Sequence, residues 1–320
     1  MDYKKIIKSR ALRMKILRAL TFIPDKPMIK LQYRIKTGRK LNLKNPKRYT
    51  EKLQWYKLYY KDPLMVQCVD KGDVREYVKS CGLEHILNEC YGVFDTVEEI
   101  DFDKLPEQFV AKDTLGGGGN DIAIVKDKSN TDLDILKKLM QSWVSVPEHK
   151  HGSGRSWPYY SGKKHRIIIE KYLEQPNGDL PDYKFFCFNG KVFCFYIRAD
   201  YAQHHESGKM SFYTRSNEWM QGVGFDYCSI SDQAIKSDGN IAQLIQMAEK
   251  LSAVFPHARI DFYVVKDKII FGEVTFFTAS GYMNCIPDTF DFELGEKFIL
   301  PKNEVTKDWQ PNVENDSAAT

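Results

Sequence analysis

The chain has 320 residues, 42% hydrophobic and 28% charged, enough to bury one or two cores in a compact enzyme of two or three subdomains. No apolar run reaches the roughly 18 residues needed to span a bilayer, and Lys and Arg interrupt the N-terminal apolar residues too often for a signal peptide. The net charge of +4 conceals an asymmetry: residues 1–53 carry 17 Lys and Arg against 3 Asp and Glu, and the remainder carries 30 against 40.

So basic an arm implies an anionic partner. Ile6, Ile7, Leu12, Ile16, Leu17 and Leu20 recur at mixed helical spacing among the cations. Two readings stay open: residues 1–53 pack on the acidic body of the chain itself, or they make a peripheral contact with an anionic membrane. No recognised nucleic-acid-binding motif accompanies the charge, so nucleic acid is not the expected partner. The seven cysteines form no CxxC pair and read as reduced thiols in the cytoplasm, at the inner face of the membrane if the arm meets lipid. His204 and His205 are adjacent, which ill suits one shared metal ion, so they read as surface or substrate-loop residues.

In chain order, the basic arm ends in a turn at 44–47. Residues 51–61 follow as a helix, with Leu53, Tyr56, Tyr59 and Tyr60 as its apolar positions. A second helix runs from Asp73 to Ser80 and closes on Gly82. Strands at 91–94 and 108–112 precede a glycine run, and a strand at 122–125 follows it. A helix at about 131–143 and a polar loop at 149–165 lead to a β-rich half that begins at Ile167. Asn189-Gly190 joins strands 183–188 and 191–198, a strong two-residue hairpin signal. Ile241, Leu244, Ile245, Ala248, Leu251, Val254 and Phe255 mark one face of an amphipathic helix. Strands at 259–265 and 269–275 come next, and the polar tail from Asn303 reads as disordered. The alternation implies an α+β fold with antiparallel sheets.

Four features carry chemistry. Gly116, Gly117, Gly118 and Gly119, with Asn120, cost backbone entropy that needs a return. The candidate return is bare N–H groups close to an anion under a flap that opens and closes, with Lys112 reaching the same phosphate. The run is neither a P-loop nor a dinucleotide fingerprint, so a merely flexible hairpin stays an equal reading.

The second feature is sharper. Closing strands 259–265 and 269–275 through Lys266, Asp267 and Lys268 centres the hairpin on Asp267 and sets Asp261 opposite Glu273, with Thr275 on the same face. Two such carboxylates repel unless a cation sits between them, and oxygen-only ligands suit Mg²⁺ shared with nucleotide phosphates; an exposed hairpin with both acids solvated is the other reading. Third, Ile167-Ile168-Ile169 runs into Glu170, Lys171, Tyr172 and Leu173 as a core strand with an ordinary end or as a hinge reading an adenine edge. Fourth, the aromatic hairpin from Asp182 carries Lys184 near one end and Arg198 at the other, where a guanidinium can hold a carboxylate or acyl phosphate.

The order of these features resembles the ATP-grasp superfamily. Within it the chain resembles the teichuronopeptide-biosynthesis type, through Glu51-Lys52-Leu53-Gln54-Trp55, Asp70-Lys71, the 182–190 stretch, Phe271 to Thr275 and Ala279-Ser280-Gly281. The resemblance implies an ATP-grasp fold, with two α+β subdomains clasping ATP between antiparallel sheets behind a basic helical arm. The expected boundaries are arm 1–53, N-terminal part 54–112, glycine-flap lid 113–170, C-terminal subdomain 171–302 and tail 303–320. By resemblance, Lys71 and Lys112 contact ATP phosphates, residues 116–120 close over them, 170–173 hold adenine and Asp182 touches the ribose. Asp261, Glu273 and Thr275 hold Mg²⁺, although the family commonly has Asn where Thr275 stands. Lys184 and Arg198 face the γ-phosphate and the acyl phosphate. The implied activity is an ATP-dependent carboxylate–amine ligase that joins a carboxylate-bearing glycan or lipid-linked sugar to an amine. A sugar kinase and a glycosyltransferase are the alternatives.

Overall fold

The computed structural model describes residues 22–117, 121–147, 154–174, 178–199, 208–237 and 239–301, with isolated positions between 9 and 20. Gly118, Gly119, Asn120, the His204-His205 pair, most of the arm before Phe22 and the tail from 303 lie outside the described residues.

From Asp25 on, helices α1 (Asp25–Thr37), α2 (Tyr49–Tyr59), α3 (Pro63–Val69) and α4 (Val74–Ser80) lead into the body. Each boundary has a local cause. The Glu51 carboxylate accepts from the N–H groups of Lys47 and Arg48 at the start of α2. Pro63 opens α3 behind Asp62, whose carboxylate caps Leu64 N–H. Gly82, at φ +65°, ends α4 as expected. No described helix is long and apolar enough to cross a membrane.

The first sheet contains β1 (Cys90–Phe94), β2 (Phe109–Asp113), β3 (Ile122–Val125) and β4 (Ile167–Lys171) in the order β1-β4-β2-β3. All its pairs are antiparallel. Helix α5 (Leu133–Val144) turns Leu136, Met140 and Trp143 onto Phe109, Ala111, Ile167 and Ile169, a core of its own. These strands come from both sides of residue 112, so β2 itself bridges the division expected there.

The second sheet is larger. It uses β5 (Asp182–Phe188), β6 (Lys191–Ala199), β7 (Lys209–Thr214), β8 (Trp219–Met220) and, after β9 (Gly224–Phe225), β10 (Ser229–Ile230). Strands β11 (His257–Val265) and β12 (Lys268–Thr275) complete the order β10-β7-β6-β5-β11-β12, with β8 on β7. Helix α6 (Ile241–Ser252) covers β5, β6 and β11. Strand β13 (Cys285–Ile286) pairs with β9, and α7 (Thr289–Lys297) packs against α2. The seven cysteines are all free thiols.

Both long hairpins of this sheet use the same construction. Asn189 and Gly190 take φ +48° and +72°, and Lys266 and Asp267 take +48° and +63°, the two left-handed positions of a twist-matched turn. Each hairpin then carries one bulge. Phe193 is the extra residue in the first, so Lys184 faces Tyr196 and Asp182 faces Arg198. Gly272 is the extra residue in the second. The three-residue loop expected around Asp267 is therefore a two-residue turn, with Lys268 already in β12. The bulge restores the shift, and Asp261 still pairs with Glu273. A side chain at 272 would crowd the Asp261 carbonyl oxygen at 3.0 Å, which accounts for the glycine.

The later part of the basic arm docks on this body. Ile29, Tyr33 and Leu41 pack on Tyr282, and Tyr33 shares a hydrogen bond with Thr50 at 2.9 Å. Arg39 and Arg48 both pair with Asp288.

Candidate active site

Pairing in the second sheet places its functional side chains on one face. Asp261 sits between Lys184 on β5 and Glu273 on β12, while Arg259 lies opposite Thr275. The Asp261 carboxylate is buried, and every near partner is charged. Lys184 Nζ donates to Oδ2 at 2.6 Å, and Arg259 donates to Oδ1 through Nε at 2.7 Å and to Oδ2 through Nη2 at 2.6 Å. Arg259 Nη2 also reaches Glu273 Oε1 and Thr275 Oγ1, each at 3.0 Å.

The cation that the paired acids require is thus present in the chain as Arg259. Its signal was available: in Arg259-Ile260-Asp261 the period of two puts the guanidinium on the same face as the acid. Burial pushes the pKa of Asp261 up, but Arg259 and Lys184 outweigh it and hold the carboxyl below its usual range. Burial would lower the ammonium of Lys184. Asp182 and Asp261 outweigh that too, and Lys184 stays charged.

Asp182 adds a third carboxylate. Its Oδ2 lies 3.4 Å from Lys184 Nζ, and its Oδ1 is buried with no hydrogen-bond partner among the described residues. Arg198 stands across from Asp182 on β6, near the Cys228 thiol and one strand farther from the acid pair.

The first sheet carries the other expected contacts. Lys112 Nζ pairs with Glu170 Oε2 at 2.7 Å, and Arg75 approaches the same carboxylate at 3.5 Å. Glu170 therefore answers Lys112 rather than a ligand edge in this structure. Lys171 is used within the protein: its N–H donates to Glu89 O, and its carbonyl accepts from the Asn88 amide. The N–H groups of Tyr172 and Leu173 donate to no protein acceptor among the described residues.

Lys71 is placed differently from its neighbours. Its Nζ donates to the carbonyls of Asp113 at 2.9 Å and Gly116 at 2.5 Å, so it clamps the base of the glycine loop. Burial pushes its ammonium down, and the leading opposing cause is the carboxylate of Glu273. A side chain at Gly116 would meet Asp121 Cβ at 2.7 Å, whereas Gly117 faces open space. The need for glycine at 116 is steric. A second polar cluster escaped the sequence reading: Arg166 spans Asp70 and Asp73, and His165 pairs with Asp113 at 2.7 Å.

Donor chemistry at the acid pair suits a small hard cation. Among the described residues no group of three His, Cys, Asp or Glu converges as a protein-only cage. Asp261, Glu273 and the Thr275 hydroxyl are an oxygen-only, incomplete set, which is what an ion shared with phosphates uses. The Glu273 side chain is 47% exposed, and its Oε2 has no protein partner among the described residues.

Two sheets, antiparallel except for the short β10–β7 pair, with a clamped glycine loop in one and a paired-acid hairpin in the other, define an ATP-grasp protein. A family model described as TupA-like ATPgrasp matches residues 51–299, and the chain belongs to that family. ATP with Mg²⁺ is accordingly its cofactor pair. No curated protein matches the chain. Among solved structures, it is similar to D-alanine–D-alanine ligase from Bacillus anthracis at 17% identity over 66% of this chain and 57% of that one, TM-score 0.39. It is also similar to biotin carboxylase from Campylobacter jejuni at 15% identity over 76% and 49%, TM-score 0.40. A third is D-alanine–D-alanine ligase from Helicobacter pylori, at 15% identity over 79% and 68%, TM-score 0.42. The chain thus spans about half of the first two, and likeness at this level says nothing of its reaction.

Proposed function

We propose that this chain is an ATP-dependent carboxylate–amine ligase working through an acyl phosphate. The observation that carries the reading is the buried Lys184–Asp261–Arg259 network with Glu273 and Thr275 on its open side. Two fixed cations beside an incomplete oxygen-donor set match a transferring phosphoryl group, whose charge must be offset without covalent help.

In this reading a substrate carboxylate oxygen attacks the γ-phosphorus, and the bond to the β-γ bridging oxygen breaks. ADP leaves and an acyl phosphate remains. An amine then adds to the acyl carbon, phosphate departs with the C–O bond electrons, and an amide forms after loss of a proton. Lys184 and Arg259 offset charge on the phosphoryl oxygens. Arg198, at the far end of β6, orients the acyl group. Lys112 exchanges Glu170 for a phosphate, and the loop clamped by Lys71 closes over it. Tyr172 and Leu173 present the N–H groups that read the adenine edge, and Asp182 meets the ribose. Asp261, Glu273 and Thr275 would hold Mg²⁺, which supplies phosphate charge neutralisation. The proposed carboxylate is a uronic acid of a cell-surface polysaccharide or its precursor, and the amine an amino acid or amino-alcohol. This pair is supported by the sequence resemblance alone.

A glycosyltransferase reading is not favoured. Both Asp-x-Asp triplets serve as caps: Asp101 accepts from Asp103 N–H, and Asp132 from the N–H groups of Asp134 and Ile135. The test is mass spectrometry of products from Mg-ATP, uronic-acid glycans and mixed amino acids. An amide formed with one ADP and one phosphate supports the ligase. A stable phosphorylated sugar, formed without any amine, overturns it.

A further inference from the structure

The basic arm uses its cations in two ways. Arg39 and Arg48 turn onto Asp288 at 2.5 and 2.7 Å, and Lys52 donates to the carbonyls of Gly295 and Phe298. These close the arm on the body. Lys30, Arg34 and Lys40 have no carboxylate partner among the described residues. With Leu41 they line a cavity of about 410 Å³ instead. Arg34 is held there by a hydrogen bond from Nη1 to the Gly38 carbonyl at 2.9 Å.

Helix α1 buries Met28, Ile29, Gln32 and Tyr33 on one side. Its other side exposes two adjacent rows at i, i+4 spacing: Lys26, Lys30 and Arg34, then Pro27, Leu31 and Ile35. Leu31 is 48% exposed and Ile35 44%, and Phe22 just before the helix is 80% exposed. Lys26 lies over the Tyr59 ring of α2 at 5.7 Å, but packing on the body accounts for neither Lys30 and Arg34 nor the apolar row. An apolar ridge alone suits any hydrophobic partner, and unneutralised cations alone suit any polyanion. Side by side they match one surface, an anionic bilayer, whose acyl boundary takes the ridge while its headgroup phosphates take the cations.

We propose that α1 is a membrane-docking helix. Its two outward rows lie on an anionic phospholipid surface, and headgroup phosphates meet the charged ends of Lys30, Arg34 and Lys40 around the mouth of this cavity. This reading does not depend on the ligase assignment.

The test uses the full chain without nucleotide, so failure of the ligase reading cannot disguise the result. Sedimentation with phosphatidylglycerol–phosphatidylcholine vesicles is expected to bring down the protein, and pure phosphatidylcholine is not. The triple variant Lys30→Gln, Arg34→Gln, Lys40→Gln is expected to partition roughly 100-fold more weakly. Leu31→Ser with Ile35→Ser is expected to remove the binding that survives high salt. Hydrogen exchange on the unmodified chain provides a measurement free of folding artefacts: the amides of 26–40 are expected to slow when anionic vesicles are added. Unchanged exchange there, unchanged partition of a folded triple variant, or equal binding to neutral vesicles overturns the proposal. So does capture by a soluble polyanion without any vesicle binding.

Discussion

The two sheets hold their charges in opposite ways. In the first, the Lys112–Glu170 pair is 25% and 12% exposed, and Lys171–Glu89 is 57% exposed on both sides. The aliphatic core lies behind them. In the second, Arg259, Asp261 and Lys184 have side-chain exposures of 8%, 2% and 10% among Phe186, Tyr196 and Phe212. A partly wet pair gives up its partner at little cost, so the first sheet can trade Glu170 for a phosphate. A buried network loses its remaining members' compensation when one is removed. The second sheet therefore sets geometry, and the first exchanges ligand.

The strongest way to break this contrast is Asp261→Ala. It leaves Arg259 and Lys184 buried without their acid, with an expected loss of about 3–5 kcal/mol in urea denaturation and no detectable turnover. Comparable stability to the unmodified chain would show that the network is not interdependent. Glu273→Gln separates function from fold within the same hairpin. ATP turnover is expected to fall at least about 100-fold, by the scale of metal-site mutations, while stability changes by less than about 1 kcal/mol because the side chain is half-exposed.

His257 sharpens the comparison through pH. Its Nδ1–H donates to the Cys187 carbonyl at 2.9 Å, and its Nε2 accepts from Tyr49 at 2.8 Å, so the ring is held neutral. Burial is the main cause of a shift down from 6.5 to about 3. The unfolded chain takes up the proton first as pH falls. Stability is therefore expected to be flat above pH 6.5 and to drop below it, by about 1.4 kcal/mol per pH unit for this one proton, until pH approaches 3. His257→Gln is expected to flatten that slope in denaturation curves taken between pH 7 and 4.5. The smallest expected effect is Lys112→Gln: roughly tenfold weaker ATP binding by calorimetry, with about 1 kcal/mol or less of stability lost. A loss as large as that of Asp261→Ala would place Lys112 in the rigid class.

Local chemistry was legible. Asn189-Gly190 and Gly82 mark the turns they make, because positive φ is a one-residue property. The α2, α4, α5 and α6 helices, the strands of the first sheet and β5, β6, β11 and β12 of the second follow their hydrophobic patterns. Short elements were not legible: α3, α7 and β7 to β10 are defined by what covers them, as where Phe290 and Leu294 of α7 meet the aromatic core. The candidate site was half legible. Asp261, Glu273 and Thr275 share a face as their alternation implies, and the β5–β11 pairing, which alternation does not reach, brings Lys184 opposite Asp261. Lys71 and Glu170, expected at the nucleotide, hold the Gly116 carbonyl and Lys112 in this structure.

By itself the sequence determined which side chains share a face, since strand periodicity and turn chemistry act over a few residues. It thereby reached the Asp261–Glu273 pair and the family pattern. Only the tertiary structure decided how that pair is reached, through a two-residue turn offset by the Gly272 bulge. It also decided what neutralises the pair, Arg259 and Lys184 held at 2.6 Å from Asp261 Oδ2. The reason is physical: a bulge and a buried ion network are stable only when neighbouring strands and helices exclude water from them. That exclusion comes from residues far away in the chain.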